Sequence, residues 1–236
     1  MDVISVIIPS YNRFDTLINT IKSVQNQSYP NIEIIVVNDC SSESKYYNYS
    51  WNNVTIIHLP ERSSKKFGYP CVGYVRNQGI KVSSGKYIAF CDDDDVWLPN
   101  KLNLQVALLK STKCNLCCTE GLIGNGPYDE TLINKYKKYN REYYWKTLKK
   151  IYSKTPFLNT NFPKIWGKKF LKIHNCVICS SVLVSKDILL KAGNMQFQRR
   201  GQDYKCWLTC IKYTDIAYLE IPCIYYDLKH GNGSNH

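Results

Sequence analysis

The sequence lacks several features that define other classes of protein. Its longest apolar runs, residues 3–9 and 32–37, are far too short to cross a bilayer. Asp2 and Ser5 interrupt the first run and no small-residue cleavage site follows it, so we expect no signal peptide. There is no G-x-G-x-x-G after the first predicted strand and no G-x-x-x-x-G-K-[S/T]. These absences argue against a dinucleotide-dependent oxidoreductase and a P-loop NTPase.

Cysteine, by contrast, is plentiful. The eleven cysteines lie within apolar runs rather than in loops, so we expect free thiols in a reducing compartment and a cytoplasmic location. The pairs Cys114-x-x-Cys117 and Cys176-x-x-Cys179 leave a four-thiolate zinc site open as an alternative. We favour free thiols, because both pairs fall in predicted strands rather than on the tight turns that zinc ribbons use.

Acidic residues are scarce, and the imbalance is local. The chain carries 31 Lys and Arg against 19 Asp and Glu, a formal net charge of +12. Residues 135–172, the basic segment, hold twelve of the basic residues and one acid, interleaved with tyrosines. Such a pattern suits an anionic acceptor, a membrane surface or nucleic acid. A solvated surface is the simpler interpretation, so we expect no nucleic acid and leave a peripheral membrane contact open.

Strand and helix patterns alternate along the chain. Strands are predicted at 3–8, 32–37, 54–59, 87–91, 115–123, 177–184 and 216–226, and helices at 16–26, 72–82, 99–111, 186–192 and 203–213. Asp15 is predicted to cap the first helix, and Asp95 to place its charge at the start of the helix that Pro99 begins. The alternation predicts an α/β fold with a mostly parallel sheet flanked by helices. We expect a single domain over 1–236, with a nucleotide-binding half at 1–100 and an acceptor half at 101–236 that contains the basic segment.

Four consecutive carboxylates, residues 92–95, follow the apolar run at 87–91. Four adjacent negative charges favour neither helix nor strand, but they are tolerated where a cation neutralises them. Oxygen ligands after a strand suit Mg²⁺ or Mn²⁺, and in open α/β sheets ligands bind at that end of the strands. An acidic turn before the next helix is the alternative.

Five segments appear together in the order and spacing of a known family: VISVIIPSYNR, IEIIVVNDCSS, RNQGIKVSSGKYIAFCDDDDVWLPNKL, SSVLVSKDILLKAG and GQDYKCWL. The chain resembles family 2 glycosyltransferases of the GT-A fold from residue 3 to about residue 230, with the likeness weakest across 121–175. The resemblance implies a Rossmann-like nucleotide half and inverting sugar transfer from a nucleotide donor.

The resemblance also implies roles for individual residues. The loop after the first strand, with Pro9, Tyr11 and Arg13, would bind the nucleoside, and Asp39 would accept a hydrogen bond from a uracil imide, which favours UDP. Arg76 would face the donor nucleotide. In the D-x-D motif, Asp94 would bind the metal, Asp92 the metal or ribose, and Asp93 the ribose. Asp203 matches the catalytic base, although Gln202 replaces the usual first acid of that pair. His230 is a loose match to a histidine that reaches the metal or the diphosphate, and we predict it as a metal ligand.

Together these features predict a metal-dependent, inverting enzyme that uses Mn²⁺ or Mg²⁺. It would move a hexose or N-acetylhexosamine from a UDP-sugar to a hydroxyl of a glycan, protein or small-molecule acceptor. Asp203 would take the proton of that hydroxyl. Two alternatives stay open. One is a nucleotide-sugar-binding protein impaired in catalysis, because Gln202 departs from the pattern. The other is a basic nucleic-acid-binding protein, because of the basic segment.

Overall fold

The structure is a computed structural model that describes residues 1–153 and 162–228. Its strands are β1 (Ile4–Ser10), β2 (Ile32–Asn38), β3 (Val54–His58), β4 (Tyr87–Phe90), β5 (Val96–Trp97), β6 (Leu116–Gly124), β7 (Lys137–Lys138), β8 (Ile165–Trp166), β9 (Leu183–Ser185) and β10 (Ile216–Asp227). Its α-helices are α1 (Phe14–Gln25), α2 (Lys45–Asn48), α3 (Ser63–Phe67), α4 (Val72–Val82), α5 (Lys101–Thr112), α6 (Trp145–Ile151), α7 (Lys168–Leu171), α8 (Lys186–Lys191) and α9 (Gln202–Cys210). Two 3-10 helices, Glu130–Lys135 and Cys179–Ser181, and a π-helix, Tyr139–Tyr144, lie between them.

The strands form one sheet in the order β3-β2-β1-β4-β9-β6-β10-β5, with β7 beside β6 and β8 beside β10. The first four strands in this order, β3, β2, β1 and β4, are parallel to one another. Strands β6 and β10 form a separate parallel pair. The short strand β9 joins the two groups and runs antiparallel to both β4 and β6. The predicted α/β fold with a mostly parallel sheet flanked by helices is confirmed.

Helices cover both faces of this sheet, which is why its strands are continuous apolar runs. All seven residues of β1 are buried. Successive side chains of a strand point to opposite faces. Ile7 therefore packs into the core cluster that includes α4 and α9, whereas Val6 and Ile8 pack into the one that includes α1 and α5.

Helix α4 lies unusually close to the sheet. A Cβ on Gly79 would stand 2.6 Å from Cγ2 of Ile7 in β1, nearer than real Cβ atoms approach other carbons. Glycine here lets α4 pack against β1 and β2. The close approach fixes Arg76, three residues earlier on the helix, beside Asp92.

The first part of the basic segment is held to the sheet by a buried carboxylate. Glu120 of β6 is fully buried, and its carboxylate accepts hydrogen bonds from the backbone N–H groups of Asn140 and Arg141, at 2.8 and 3.0 Å. The hydroxyl of Tyr218 donates to the same carboxylate at 2.7 Å. These bonds satisfy amides at the start of the helix that leads into α6.

Three local predictions are wrong. Helix α1 begins at Phe14 after Arg13, so Asp15 lies in its first turn and pairs with Lys45 instead of capping it. Helix α5 begins at Lys101 after Asn100 in the left-handed conformation, so Asp95 is not at its N-terminus. Of the strand predicted at 177–184, only Leu183 and Val184 belong to a strand, β9, because the chain turns through a 3-10 helix at Cys179–Ser181.

All eleven cysteines are free thiols. Within 1–153 and 162–228, no three His, Cys, Asp or Glu side chains come together in a group that could hold a metal ion, so the alternative of a four-thiolate zinc site is wrong. In the same residues no helix is long and apolar enough to cross a membrane.

Candidate active site

A cavity of about 590 Å³ opens beside the carboxyl end of β4. It brings together residues far apart in the chain: Arg76 from α4, Asp92 and Asp94 after β4, and Asp203 from α9. Its other walls are formed by Tyr139, Tyr144, His174, Asn175, Val177, Ile178, Cys179, Arg199, Arg200, Gly201, Gln202, Tyr226 and Asp227. Four predicted site residues therefore share one chamber.

A narrow slot adjoins this cavity. It is lined by Pro9, Ser10, Tyr11, Asp39, Arg62 and Val75, and Pro70 and Val72 line both the slot and the cavity. Its free volume is about 20 Å³, room for one or two water molecules at about 10–15 Å³ each. The three residues predicted to meet a base, Pro9, Tyr11 and Asp39, thus lie together in a slot that is closed to a base.

The slot is closed by a cation stacked on an aromatic ring. The guanidinium carbon of Arg62 lies 3.8 Å from the ring centroid of Tyr11, and the buried Arg62 Nε has no hydrogen-bond partner within the described residues. Asp39 accepts hydrogen bonds from the backbone N–H and the hydroxyl of Ser63, both at 2.6 Å. Burial raises the pKa of Asp39, although these bonds oppose the shift. Arg62 thus covers one face of Tyr11, the side chain predicted to stack on a base.

Arg76 is the buried cation of the cavity. It is 3% exposed, and its Nη2 pairs with the carboxylate of Asp92. Burial disfavours its charge, but the nearby Asp92, Cys179 and Asp203 outweigh that cost and raise its pKa. Its Nε and Nη1 are buried without hydrogen-bond partners among the described residues. A buried donor without a partner is costly, so Arg76 is suited to an anionic ligand.

Asp92 and Asp94 are the two carboxylates of the acidic run that line the cavity. The backbone N–H of Asp92 donates to the Ser180 hydroxyl at 3.0 Å. Asp94 accepts from Arg13 Nη1 at 2.5 Å. Burial, together with the charge of Asp92, raises the pKa of Asp94. Each carboxylate is thus held by a guanidinium on one side and borders the cavity on the other.

Asp93 and Asp95 face the interior. Asp93 is fully buried, accepts from the Ser10 hydroxyl at 2.6 Å and lies 3.4 Å from Arg13 Nη1. Burial raises the pKa of Asp93 to about 7. Asp95 is 1% exposed, and burial raises its pKa well above the usual range. Neither lines the cavity, so Asp93 is not placed to touch a ribose there. Arg13, which pairs with Asp93 and Asp94, does not line the cavity either.

Asp203 lies in the first turn of α9, which follows Gly201 with a φ of +68°. One oxygen of its carboxylate accepts from the backbone N–H of Tyr204 at 2.7 Å. Burial raises the pKa of Asp203, and the charge of Arg76 opposes the shift. A carboxylate with a raised pKa in a cavity fits a general base. Gln202 beside it lines the same cavity.

The carboxylates present fit the predicted divalent cation. Mg²⁺ and Mn²⁺ are typically held by one or two carboxylates together with substrate phosphates and water. Asp92 and Asp94 supply hard oxygen ligands at one wall of the cavity, and Arg76 stands beside them. His230, the third predicted ligand, lies outside the described residues.

Several residues that line the two pockets carried no sequence signal. Arg62 follows β3 in a run without a recognisable motif, and Tyr139, Tyr144 and His174 lie in the stretch where the family likeness is weakest. Only the fold brings them to the site. The charge excess of the basic segment was the one sign that this stretch is distinctive.

Residues 5–184 match the family described as glycosyl transferase family 2. The chain therefore belongs to this family. Among curated proteins, it is 26% identical over 218 residues to Escherichia coli WfgD, named UDP-Glc:alpha-D-GlcNAc-diphosphoundecaprenol beta-1,3-glucosyltransferase; the match covers 91% of this chain and 72% of WfgD. It is 32% identical over 117 residues to the putative teichuronic acid biosynthesis glycosyltransferase TuaG of Bacillus subtilis, which covers 48% of this chain and 44% of TuaG.

Solved structures show the same fold. S. aureus TarS 1-349 in complex with UDP-GlcNAc superposes with a TM-score of 0.64 at 18% identity, over 99% of this chain and 61% of that one. The Pyrobaculum calidifontis mannosyltransferase PcManGT, in complex with GDP-Man and Mn²⁺, gives 0.61 at 14% identity, over 94% of this chain and 55% of that one. The fold is that of GT-A glycosyltransferases. The chain spans less than two thirds of TarS 1-349, PcManGT and TuaG.

Proposed function

We propose that the protein transfers a hexose or N-acetylhexosamine from a UDP-sugar to an acceptor hydroxyl, with inversion and with Mn²⁺ or Mg²⁺. One observation carries the proposal. The cavity that holds Arg76, Asp92, Asp94 and Asp203 shares two wall residues, Pro70 and Val72, with the slot that holds Tyr11 and Asp39. Groups suited to an anion, a metal ion and a proton thus adjoin the slot in which a base would bind after Arg62 moves.

The nucleotide would extend across the two pockets. The base would stack on Tyr11 once Arg62 has moved, and Asp39 would accept from its imide N–H. The diphosphate would lie in the cavity, where Nε and Nη1 of Arg76 are available to donate to its oxygens. TarS 1-349 has been solved with UDP-GlcNAc and PcManGT with GDP-Man. Our preference for UDP therefore depends on Asp39.

Asp92 and Asp94 would hold the divalent cation. When bound, such an ion supplies Lewis-acid stabilisation of the negative charge on the departing diphosphate. Arg13, Ser10 and buried Asp93 support this role, because their contacts fix the side chains of Asp93 and Asp94. We therefore assign Asp93 a positioning role rather than a contact with ribose.

Asp203 would act on the acceptor. With one carboxylate oxygen held by Tyr204 N–H, the other would take the proton of the acceptor hydroxyl as that oxygen attacks the anomeric carbon. A raised pKa brings the base closer to neutral pH and makes proton transfer more effective. In-line attack from the side opposite the diphosphate inverts the anomeric carbon.

The acceptor would enter from the wall formed by Tyr139, Tyr144 and His174. We favour a glycan acceptor over a protein or a free small molecule, because WfgD is named for transfer to a diphosphoundecaprenol-linked sugar. A cytoplasmic location agrees with eleven free thiols.

The test measures UDP release from UDP-glucose, UDP-galactose and UDP-GlcNAc with Mn²⁺, Mg²⁺ or a chelator, with GDP-mannose as the competing donor. We expect release from at least one UDP-sugar and its loss with the chelator. Asp203→Asn should abolish turnover but keep UDP affinity, whereas Asp94→Ala should lose metal-dependent UDP binding. Exposed Asp215→Asn is the matched control and should behave as the wild type. Turnover of GDP-mannose alone would refute the choice of UDP.

Gln202 supports one competing function. The family pattern has an acid at this position, so a nucleotide-sugar-binding protein without catalysis is the second candidate. Tight, metal-dependent binding of a UDP-sugar without UDP release, under every donor and acceptor condition, would favour it. Restored release in Gln202→Glu would show that the glutamine is the cause.

A further inference from the structure

Three short elements of the basic segment form one layer on the surface. Their inward side chains are Trp145 and Leu148 of α6, Trp166 of β8, and Phe170 and Leu171 of α7, all buried. Phe162 joins them, with ring centroids 4.9 Å from Trp145, 5.7 Å from Trp166 and 5.8 Å from Phe170. This aromatic contact fixes α6, β8 and α7 side by side.

Burying the aromatic side turns the lysines outward. We call six of them the cationic face: Lys146, Lys149, Lys150, Lys168, Lys169 and Lys172, all exposed. None of the six forms an ion pair with another described residue. The nearby acid Glu220 pairs instead with Arg141 and Lys164, at 3.6 and 3.7 Å. The cationic face therefore presents an uncompensated charge to its surroundings.

Two large apolar side chains are exposed on the same elements. Ile151, at the end of α6, is 63% exposed, and Ile165 of β8 is 42% exposed. A nucleic-acid backbone gains nothing from such residues, whereas the interface of a bilayer accepts apolar side chains among basic ones. The combination of lysines with exposed isoleucines favours a lipid surface over nucleic acid.

The layer is continuous with the walls of the cavity. Tyr139 and Tyr144, just before α6, and His174 and Asn175, just after α7, line the cavity. Both ends of the layer thus border the side from which the acceptor would enter. A surface that binds the layer would hold its own embedded molecules near that entrance.

We propose that the cationic face, with Ile151 and Ile165, binds the surface of an anionic bilayer. The binding itself is independent of the proposed transferase activity, and only its purpose, to bring a membrane-anchored acceptor to the cavity, rests on that function. Each lysine near an anionic surface contributes about 1 kcal/mol, or about fivefold in affinity.

The test measures binding of the whole chain to vesicles of three parts phosphatidylcholine to one part phosphatidylglycerol, and to phosphatidylcholine alone. We expect binding to the mixed vesicles only. The variant Lys149→Gln/Lys150→Gln/Lys168→Gln/Lys169→Gln should lose at least about a hundredfold in affinity. Raising NaCl from about 0.1 to about 1 M shortens the Debye length from about 10 to about 3 Å and should release the wild type.

The matched control is Lys22→Gln/Lys81→Gln/Lys110→Gln/Lys191→Gln, which removes the same charge from exposed helix positions outside the layer. If this control weakens vesicle binding as much as the first variant does, binding depends on the net charge of the chain rather than on the cationic face, and the proposal fails. The proposal also fails if phosphatidylcholine alone binds equally well, or if single-stranded or duplex DNA binds more tightly than the mixed vesicles.

UDP release without vesicles, measured on the same two variants, separates this proposal from the proposed function. Loss of vesicle binding with unchanged UDP release supports the bilayer contact alone. If the wild type binds vesicles but releases no UDP, the proposed transferase activity is refuted and the proposed bilayer binding is not. Ile151→Ser/Ile165→Ser should weaken vesicle binding without changing its salt dependence. Unchanged vesicle binding in this variant would show that the two isoleucines do not contact the bilayer as we propose.

Discussion

Lys101 is a fully buried lysine beneath the active site. Its Nζ donates to Gln105 Oε1 at 2.8 Å and lies 3.7 Å from the ring centroid of Trp97. Trp97 Nε1 in turn donates to the backbone oxygen of Ser180, whose hydroxyl accepts from Asp92 N–H. Burial lowers the pKa of Lys101 from 10.5 to about 8. We therefore predict that Lys101 makes folding stability rise with pH.

The sign follows from proton counting. Between the folded and unfolded pKa values the unfolded chain binds a proton that the folded protein does not, so raising the pH stabilises the folded state. A folded pKa of about 8 gives a gain of about 1 kcal/mol by pH 9 and about 2–3 kcal/mol by pH 10. The contact with Trp97 favours the ammonium by up to about 2 kcal/mol, which would reduce the gain at pH 10 to about 1 kcal/mol.

The assay is urea unfolding followed by tryptophan fluorescence, with a reductant present, for the wild type and Lys101→Met. The thiols coupled to Lys101, those of Cys91, Cys117 and Cys223, have pKa values that burial raises, so they stay protonated in the folded state of both proteins over this pH range. The pH dependence of the difference between the two unfolding free energies therefore reports on Lys101. This difference should shift in favour of the wild type by about 1–3 kcal/mol between pH 7 and 10. Exposed Lys110→Met should show no shift. A constant difference for Lys101→Met would refute a lowered pKa, and a shift of opposite sign would show that the ring contact dominates.

Two further predictions concern the narrow slot, and a third concerns the packing of α4. Tyr11→Ala should weaken UDP binding by about 5–150-fold, since stacking of one base contributes about 1–3 kcal/mol. Titration calorimetry would measure the UDP affinity, and an unchanged affinity would show that the base binds elsewhere. Arg62→Ala should strengthen binding of uridine, a ligand without phosphate, by about 2–30-fold, because the base no longer has to displace a cation–π contact of about 0.5–2 kcal/mol. Weaker binding of uridine would mean that Arg62 instead stacks on the base. Gly73→Ala should lower the free energy of unfolding in urea by about 1–3 kcal/mol, since the alanine Cβ would lie 2.3 Å from the backbone oxygen of Gln196. An unchanged urea midpoint would show that the backbone at Gln196 can shift without cost.

The central sheet was predictable because its signals are local. Residues 3–8, 32–37 and 87–91 are continuous apolar runs, and such runs in alternation with amphipathic helices favour a parallel sheet. The helix predicted at 72–82 has those bounds in the structure. The prediction at 177–184 failed because the same apolar composition also suits a buried 3-10 turn, which Gln105 stabilises by donating to the backbone oxygen of Ser181 at 2.8 Å.

The site was predictable in part. That Arg76, Asp92, Asp94 and Asp203 share a cavity agrees with the roles implied by the family pattern, and those roles stay predictions. The separation of the four aspartates was not predictable, because adjacent carboxylates have the same chemistry until the backbone turns two of them inward. Nor could the sequence indicate that Arg62 covers Tyr11, since that contact joins two loops from separate strands.

The sequence by itself determined the kind of sheet, the family and the residue types available for binding a nucleotide and for catalysis, because these depend on short motifs and on periodic burial. Tertiary structure alone decided which of those groups meet. Packing placed Asp93 in the interior and Asp94 at the cavity. Among the described residues it left two donors of Arg76 without partners, and it turned six lysines of the basic segment outward on an aromatic layer. Each outcome depends on packing between elements distant in the chain, for which no local pattern carries a signal.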